Sequence, residues 1–225
     1  MKPNLLARTL PLPRVCALVA VLATLPAHAA LLADYNLGVD QNTTVWTTLS
    51  NANPTRTADA GSDAGSFTIG APGYQASVGT YSYSTDYSIT VTQTSTFDLQ
   101  TAVFQVDIAM NPAYTLPYGT GPLLSYNGGT QNLAASLFTT NGTENRNTSF
   151  GPMTYTGGAW QWDLSSIGEE ITSLTITMPV SVHSSISAAR IDSGSSNLAV
   201  VPEPSMGFLA LLGGGMLVAR RRRAV

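Results

Sequence analysis

Tyr81-Ser82-Tyr83-Ser84-Thr85-Asp86-Tyr87-Ser88-Ile89-Thr90-Val91-Thr92 places Tyr81, Tyr83, Thr85, Tyr87, Ile89 and Val91 on one parity. Ser82, Ser84, Asp86, Ser88, Thr90 and Thr92 fill the other. Side chains of an extended chain point alternately to opposite faces, so a strand with one buried and one wet face produces this period. A helix would bring its apolar residues back every three or four positions, and that spacing is absent between the two ends of the chain.

The same signature returns twice. Ala102, Phe104, Val106, Ile108 and Met110 alternate with Gln105 and Asp107 up to Asn111-Pro112. Leu174, Ile176 and Met178 alternate with Thr175 and Thr177 and stop at Pro179. Shorter strands are expected at 66–69, 133–138, 159–162 and 186–191. Turn signals separate them at Ala71-Pro72-Gly73, Asn127-Gly128-Gly129, Asn141-Gly142 and Gly157-Gly158, and residues 51–65 read as a long loop. No repeat of about 20–50 residues is evident, which argues against solenoids and propellers. Short strands joined by polar turns predict an all-β fold, a single β-sandwich of jelly-roll topology over residues 30–192.

The two ends differ from this domain. Lys2, Arg8 and Arg14 accompany an apolar run at 15–25 and the sequence Ala27-His28-Ala29. That is the pattern of a secretory signal peptide over 1–29, with cleavage before Ala30 and export through the Sec translocon expected. Residues 193–200, beginning Ser193-Gly194-Ser195-Ser196-Asn197, read as a flexible linker. Beyond them, Val201-Pro202-Glu203-Pro204-Ser205 leads into an apolar run at 206–219 and then Arg220-Arg221-Arg222-Arg223. The two prolines fix φ and remove amide donors, which keeps the tripeptide extended and open to a binding cleft. The apolar run would span about 21 Å as a helix, against a hydrocarbon core of about 30 Å. A basic cluster after such a run holds that end in the cytoplasm.

Residues 201–225 thus resemble the PEP-CTERM sorting signal of exopolysaccharide-producing Gram-negative bacteria. Its parts stand in order: Pro202, Glu203 and Pro204 as sorting motif, one transmembrane helix, and Arg220, Arg221, Arg222 and Arg223 as cytoplasmic stop. The resemblance implies that an exosortase, a membrane-embedded transpeptidase-like enzyme, recognises and removes this segment. The chain would then rest transiently in the inner membrane before reaching the cell surface or extracellular matrix. The resemblance is confined to these residues.

The chain carries a formal charge of −3, but residues 30–192 hold three arginines, Arg56, Arg146 and Arg190, against twelve acids, a formal −9. Nucleic acids and anionic headgroups are poor partners for such a surface. The one cysteine, Cys16, lies in the signal peptide, so the domain has no disulfide and no cysteine-ligated zinc.

Few residues suggest chemistry. His183 is the domain's one histidine, no G-x-S-x-G elbow accompanies it, and it reads as solvated. Glu169-Glu170 reads as a polar turn, since neighbours on an extended chain point apart. Asp34 and Asp40 near the start and Asp192 near the end are candidates for a structural calcium site, because the first and last strands of a sandwich are often neighbours; no other cofactor is expected. Trp160 and Trp162 share a face across Gln161 and run into Asp163. Exposed, they would form a glycan-stacking platform with Asp163 bonding hydroxyls. Leu164 continues their parity, which favours the core, and the stripe of Tyr81, Tyr83 and Tyr87 reads as core for the same reason. Glycosylation sequons begin at Asn42, Asn141 and Asn147.

The expected function is that of a non-enzymatic exported protein, an adhesive or structural component of the cell surface or exopolysaccharide matrix. The alternative is a carbohydrate-binding module built on Trp160 and Trp162. A polysaccharide hydrolase or lyase comes third, because the catalytic inventory is poor.

Overall fold

The computed structural model describes residues 31–199. The signal peptide with Ala27, Ala29 and Ala30, the motif Pro202, Glu203 and Pro204, the apolar span and Arg220–Arg223 all lie outside the described residues. The described chain is all-β, with twelve strands and no α-helix. Seven form one sheet: β1 (Gln41–Trp46), β3 (Tyr74–Ala76), β4 (Gly79–Tyr81), β6 (Thr101–Ala109), β9 (Leu137–Thr148), β10 (Gly151–Asp163) and β12 (Ser185–Gly194). Their order is β3-β4-β12-β6-β10-β9, with β1 also paired to β12. The other sheet, in the order β2-β5-β11-β7-β8, comprises β2 (Gly65–Ile69), β5 (Tyr87–Thr94), β7 (Leu123–Tyr126), β8 (Leu133–Ala134) and β11 (Ser173–Val180). All pairings are antiparallel, and four of them are nested: β1 with β12, β5 with β11, β6 with β10, β7 with β8.

One apolar layer joins the sheets. Phe104, Val106, Ile108 and Ile191 meet Ile89, Val91, Ile176 and Met178, with Trp46, Trp160 and Trp162 in the same cluster. Burying each side chain of this size contributes about 1.5–3 kcal/mol. In β5 and β11 the buried and wet positions alternate as the threonine-rich sequence requires.

Four expectations need correction. Residues 81–92 are not one strand: β4 ends at Tyr81, β5 begins at Tyr87, and the two belong to different sheets. Side chains bond the backbone in between. Ser82 Oγ donates to the Thr85 carbonyl (2.7 Å), and Asp86 accepts the Val182 amide (2.9 Å). Such local bonds compete with the strand ladder. Of the tyrosines, Tyr87 is buried while Tyr83 is exposed. Asn141-Gly142 and Gly157-Gly158 are not turns but a β-bulge inside the β9–β10 hairpin, with the register shift between Gly157 and Gly158. A Cβ on Gly157 would stand 2.6 Å from the Leu31 carbonyl oxygen, so only glycine admits that segment. Pro179 does not stop β11; the neighbour β7 has ended by Thr177, which leaves no ladder on that side to interrupt. Finally, β12 extends to Gly194, and the expected linker is bonded down: Thr101 Oγ1 donates to the Ser196 carbonyl (2.8 Å) and Gln161 Nε2 to that of Leu198.

Candidate functional site

The outward face of the seven-stranded sheet positions the residues of interest. The sequence pattern leaves Gln105 and Asp107 in water, yet every residue of β6 is buried. Residues 31–37 cross this face without joining the sheet. Their backbone is satisfied by side-chain amides instead, as buried amide groups must be. Gln105 accepts the Ala33 amide and donates to the Ala33 carbonyl, both at 2.8 Å. Gln41 accepts the Leu37 amide (2.8 Å) and donates to the Tyr35 carbonyl (2.9 Å). Leu37 packs on Val103 and Ala159, and Leu31 packs on Ala109 and Tyr155.

Beside this covered stretch, Arg146 from β9 lies over Asp107. The guanidinium is 2.5 Å from Asp107, 2.8 Å from Glu144, and 4.4 Å above the Tyr155 ring. Burial works against its charge, but the two carboxylates outweigh it and raise its pKa. A cleft of about 490 Å³ opens here. Arg146 is its one charged lining residue; Ser50, Ser77, Asn147, Thr148 and Ser149 supply hydroxyls and an amide.

The turn after Thr148 links the cleft to a rank of aromatic rings. Ser149 Oγ meets Ser77 Oγ at 2.8 Å, and the Phe150 ring stacks on Tyr81 at 6.3 Å. Tyr81 contacts Tyr74, Tyr74 contacts Tyr83, and the Tyr81 hydroxyl meets His183 Nδ1 at 2.9 Å. Phe150 is 68% exposed and Tyr83 70%, both unusually open for such large apolar groups. Burial and the neighbouring Tyr74 push the Tyr81 hydroxyl above its ordinary pKa. A second hollow of about 450 Å³, lined in part by His183, Met110, Pro152 and Met153, lies on the other side.

These features share one end of the sheet. Ser185 at the start of β12 is paired with both Tyr81 and Ala109, the last residue of β6. The chain leaves towards residue 200 at the opposite end, where Thr101, first in β6, holds Ser196. Strand rise puts the two ends about 30 Å apart.

The earlier candidates fall elsewhere. Trp160 and Trp162 are each 2% exposed, and Trp162 Nε1 donates to the Leu133 carbonyl (2.9 Å), so neither offers a face to a sugar. The platform alternative does not hold, and the core reading that Leu164 favoured does: both rings fill the space between the sheets. Asp163 bonds Ser165 and faces Asn197 instead, and the two Ser165 bonds hold its carboxyl below the usual carboxylate range. Asp34 and Asp192 do converge, but on the guanidinium of Arg190, whereas Asp40 meets Ser195 (3.3 Å). Burial pushes the Asp192 carboxyl above its ordinary pKa, against the effect of Arg190. Among the described residues no group of three His, Cys, Asp or Glu is placed to hold a metal ion. Asn141 donates to Gln105 (2.9 Å), while the sequon residue Asn147 lines the cleft. The sequence reading missed the cleft and the aromatic rank. Phe150 was the available signal, a large apolar residue in a run of Asn, Thr, Ser and Gly.

Residues 200–223 match the family model of the PEP-CTERM protein-sorting motif. The chain therefore carries that motif, which implies an exported protein processed by an exosortase. No curated protein and no solved structure matches the chain significantly.

Proposed function

We propose that the β-domain acts without catalysis, as an adhesive or scaffolding unit of the cell surface or exopolysaccharide matrix. The observation that carries this reading is the two-ended layout: Ser196 and Leu198, the last stretch before the sorting segment in sequence, are bonded to Thr101, and the open, aromatic surface lies at the far end of the same strands. Held or released through its C-terminus, such a domain turns that surface outward. The charged groups support a passive role. Asp34, Asp107, Glu144 and Asp192 are engaged in arginine pairs, and His183 Nδ1 meets a tyrosine hydroxyl rather than a carboxylate. The nested strand pairing supports a jelly-roll reading, an architecture shared by capsid and lectin domains; this is analogy of fold alone.

An epitope placed after Val225 tests the sorting on which the reading depends. In an exosortase-bearing host, surface-exposed protein should lack the epitope. With Pro202 and Pro204 both replaced by alanine, uncleaved precursor should accumulate in the inner membrane. Surface-exposed wild-type protein that keeps its tail would overturn the reading.

A further inference from the structure

From the cleft and the ring rank together, we infer that the far end of the seven-stranded sheet is a binding site for a neutral glycan, with Phe150 and Tyr81 stacking a sugar ring and the cleft bonding its hydroxyls. This deepens the proposed surface role and rests on it. A pyranose presents C–H groups on its faces and hydroxyls around its edge. It needs an apolar plate beside a set of uncharged donors and acceptors.

Both are present and contiguous. The turn that places Ser149 in the cleft places Phe150 on Tyr81. Tyr74 stands edge-on to Tyr81 (87°) and Tyr83 is inclined to Tyr74 (69°), so the two border the plate and lengthen its apolar surface. Hydroxyls of Ser50, Ser77, Thr148 and Ser149 and the amide of Asn147 line the cleft. Each of these groups both donates and accepts, as a sugar hydroxyl does.

Charge excludes the nearest rivals. Arg146 is the cleft's one charged lining residue, and its guanidinium already faces Asp107 and Glu144. It has no free fork for a carboxylate or phosphate, and a domain with a formal −9 repels polyanions. A protein partner anchored by a buried side chain would need a desolvated apolar pocket. Carbon makes up much of this cleft's wall, but eight of its eleven lining residues carry a hydroxyl that such an anchor would leave unpaired. The aromatic plate alone would suit a protein, but the plate and the polar cleft together suit a sugar chain crossing both.

The full chain, purified in mild detergent, can be assayed against immobilised dextran, laminarin and galactomannan, with alginate as the anionic control. Binding to at least one neutral polymer and not to alginate is expected. Phe150→Ala and Tyr81→Ala should each weaken it by about tenfold, the scale of one lost aromatic contact. Tyr83→Ala and Asn147→Ala should weaken it less. Phe150 and Tyr83 are open enough that their variants should keep the wild-type melting temperature, and where they do a loss of binding cannot be assigned to unfolding. Binding unchanged in Phe150→Ala and Tyr81→Ala would overturn the site. Binding to none of the neutral polymers, or to alginate alone, or capture of a protein partner through the same rings, would overturn the ligand class. None of these failures touches the epitope result, so the sorting reading stands or falls separately.

Discussion

Within two residues along β6, the outer face of one sheet is closed in two different ways. At Gln105 the cover is backbone: residues 31–37 lie across the sheet and exchange hydrogen bonds with neutral side-chain amides. At Asp107 the cover is side chain: Arg146, with Tyr155 beneath it, and the Ser187 hydroxyl beside it. The first closure spreads its stabilisation over many modest bonds, each worth about 0.5–1.5 kcal/mol net. The second concentrates it around one guanidinium, which neutralises the buried Asp107 carboxylate while Ser187 Oγ adds a single hydrogen bond (2.9 Å). A distributed seal tolerates damage; a single ionic lid does not. The first leaves no cavity to fill. The second is the edge of a cleft.

That contrast fixes an order of expected effects. Arg146→Ala should be the most damaging, at about 3–5 kcal/mol, because the Asp107 carboxylate, although still bonded by Ser187 Oγ (2.9 Å), stays buried without the guanidinium charge beside it. Urea unfolding measures this. A loss below about 1 kcal/mol would mean that water entering by the cleft serves Asp107 as well as the guanidinium does, and the contrast would fail. Gln105→Ala should cost about 1–3 kcal/mol, since both polar groups of Ala33 lose their partner. Hydrogen exchange should quicken at the amide of Ala33 while β6 and β10 stay protected. Equal quickening throughout the sheet would show the segment to be an integral part of it rather than a cover. Asp34→Ala should cost least, under about 1 kcal/mol, because Asp34 is 91% exposed where it meets Arg190 and is screened by salt. Melting temperatures of wild type and variant should draw together as salt is added.

The core was legible in the sequence where one face of a strand is wet. Ile89 and Val91, and Leu174, Ile176 and Met178, could be assigned from parity alone. Parity misled at Gln105 and Asp107, because it says which side chains share a face and not whether something else covers it. The cover comes from residues 31–37, which have no alternation of their own. Most of β9 was illegible for a different reason. Residues 139–148 contain no apolar side chain, and on an edge strand none is needed. Its partner β10 carries the apolar residues for both. Asn141-Gly142 looks like a turn because the same backbone freedom serves a bulge. The candidate site was least legible of all. It joins residues from β3, β4, β9, β10 and β12 and from the segments after β1 and β3, and only the strand pairing brings them together.

The position of β12 has a mechanical consequence. It runs between β1 and β6, bonded to both over most of its length, and it ends where the chain departs towards the sorting segment. A load applied at that end, with the far end of the sheet held, pulls along the strands. The bonds of both ladders then resist together in shear instead of peeling one by one. If the domain is held through its C-terminus, the last strand is the one best placed to carry tension.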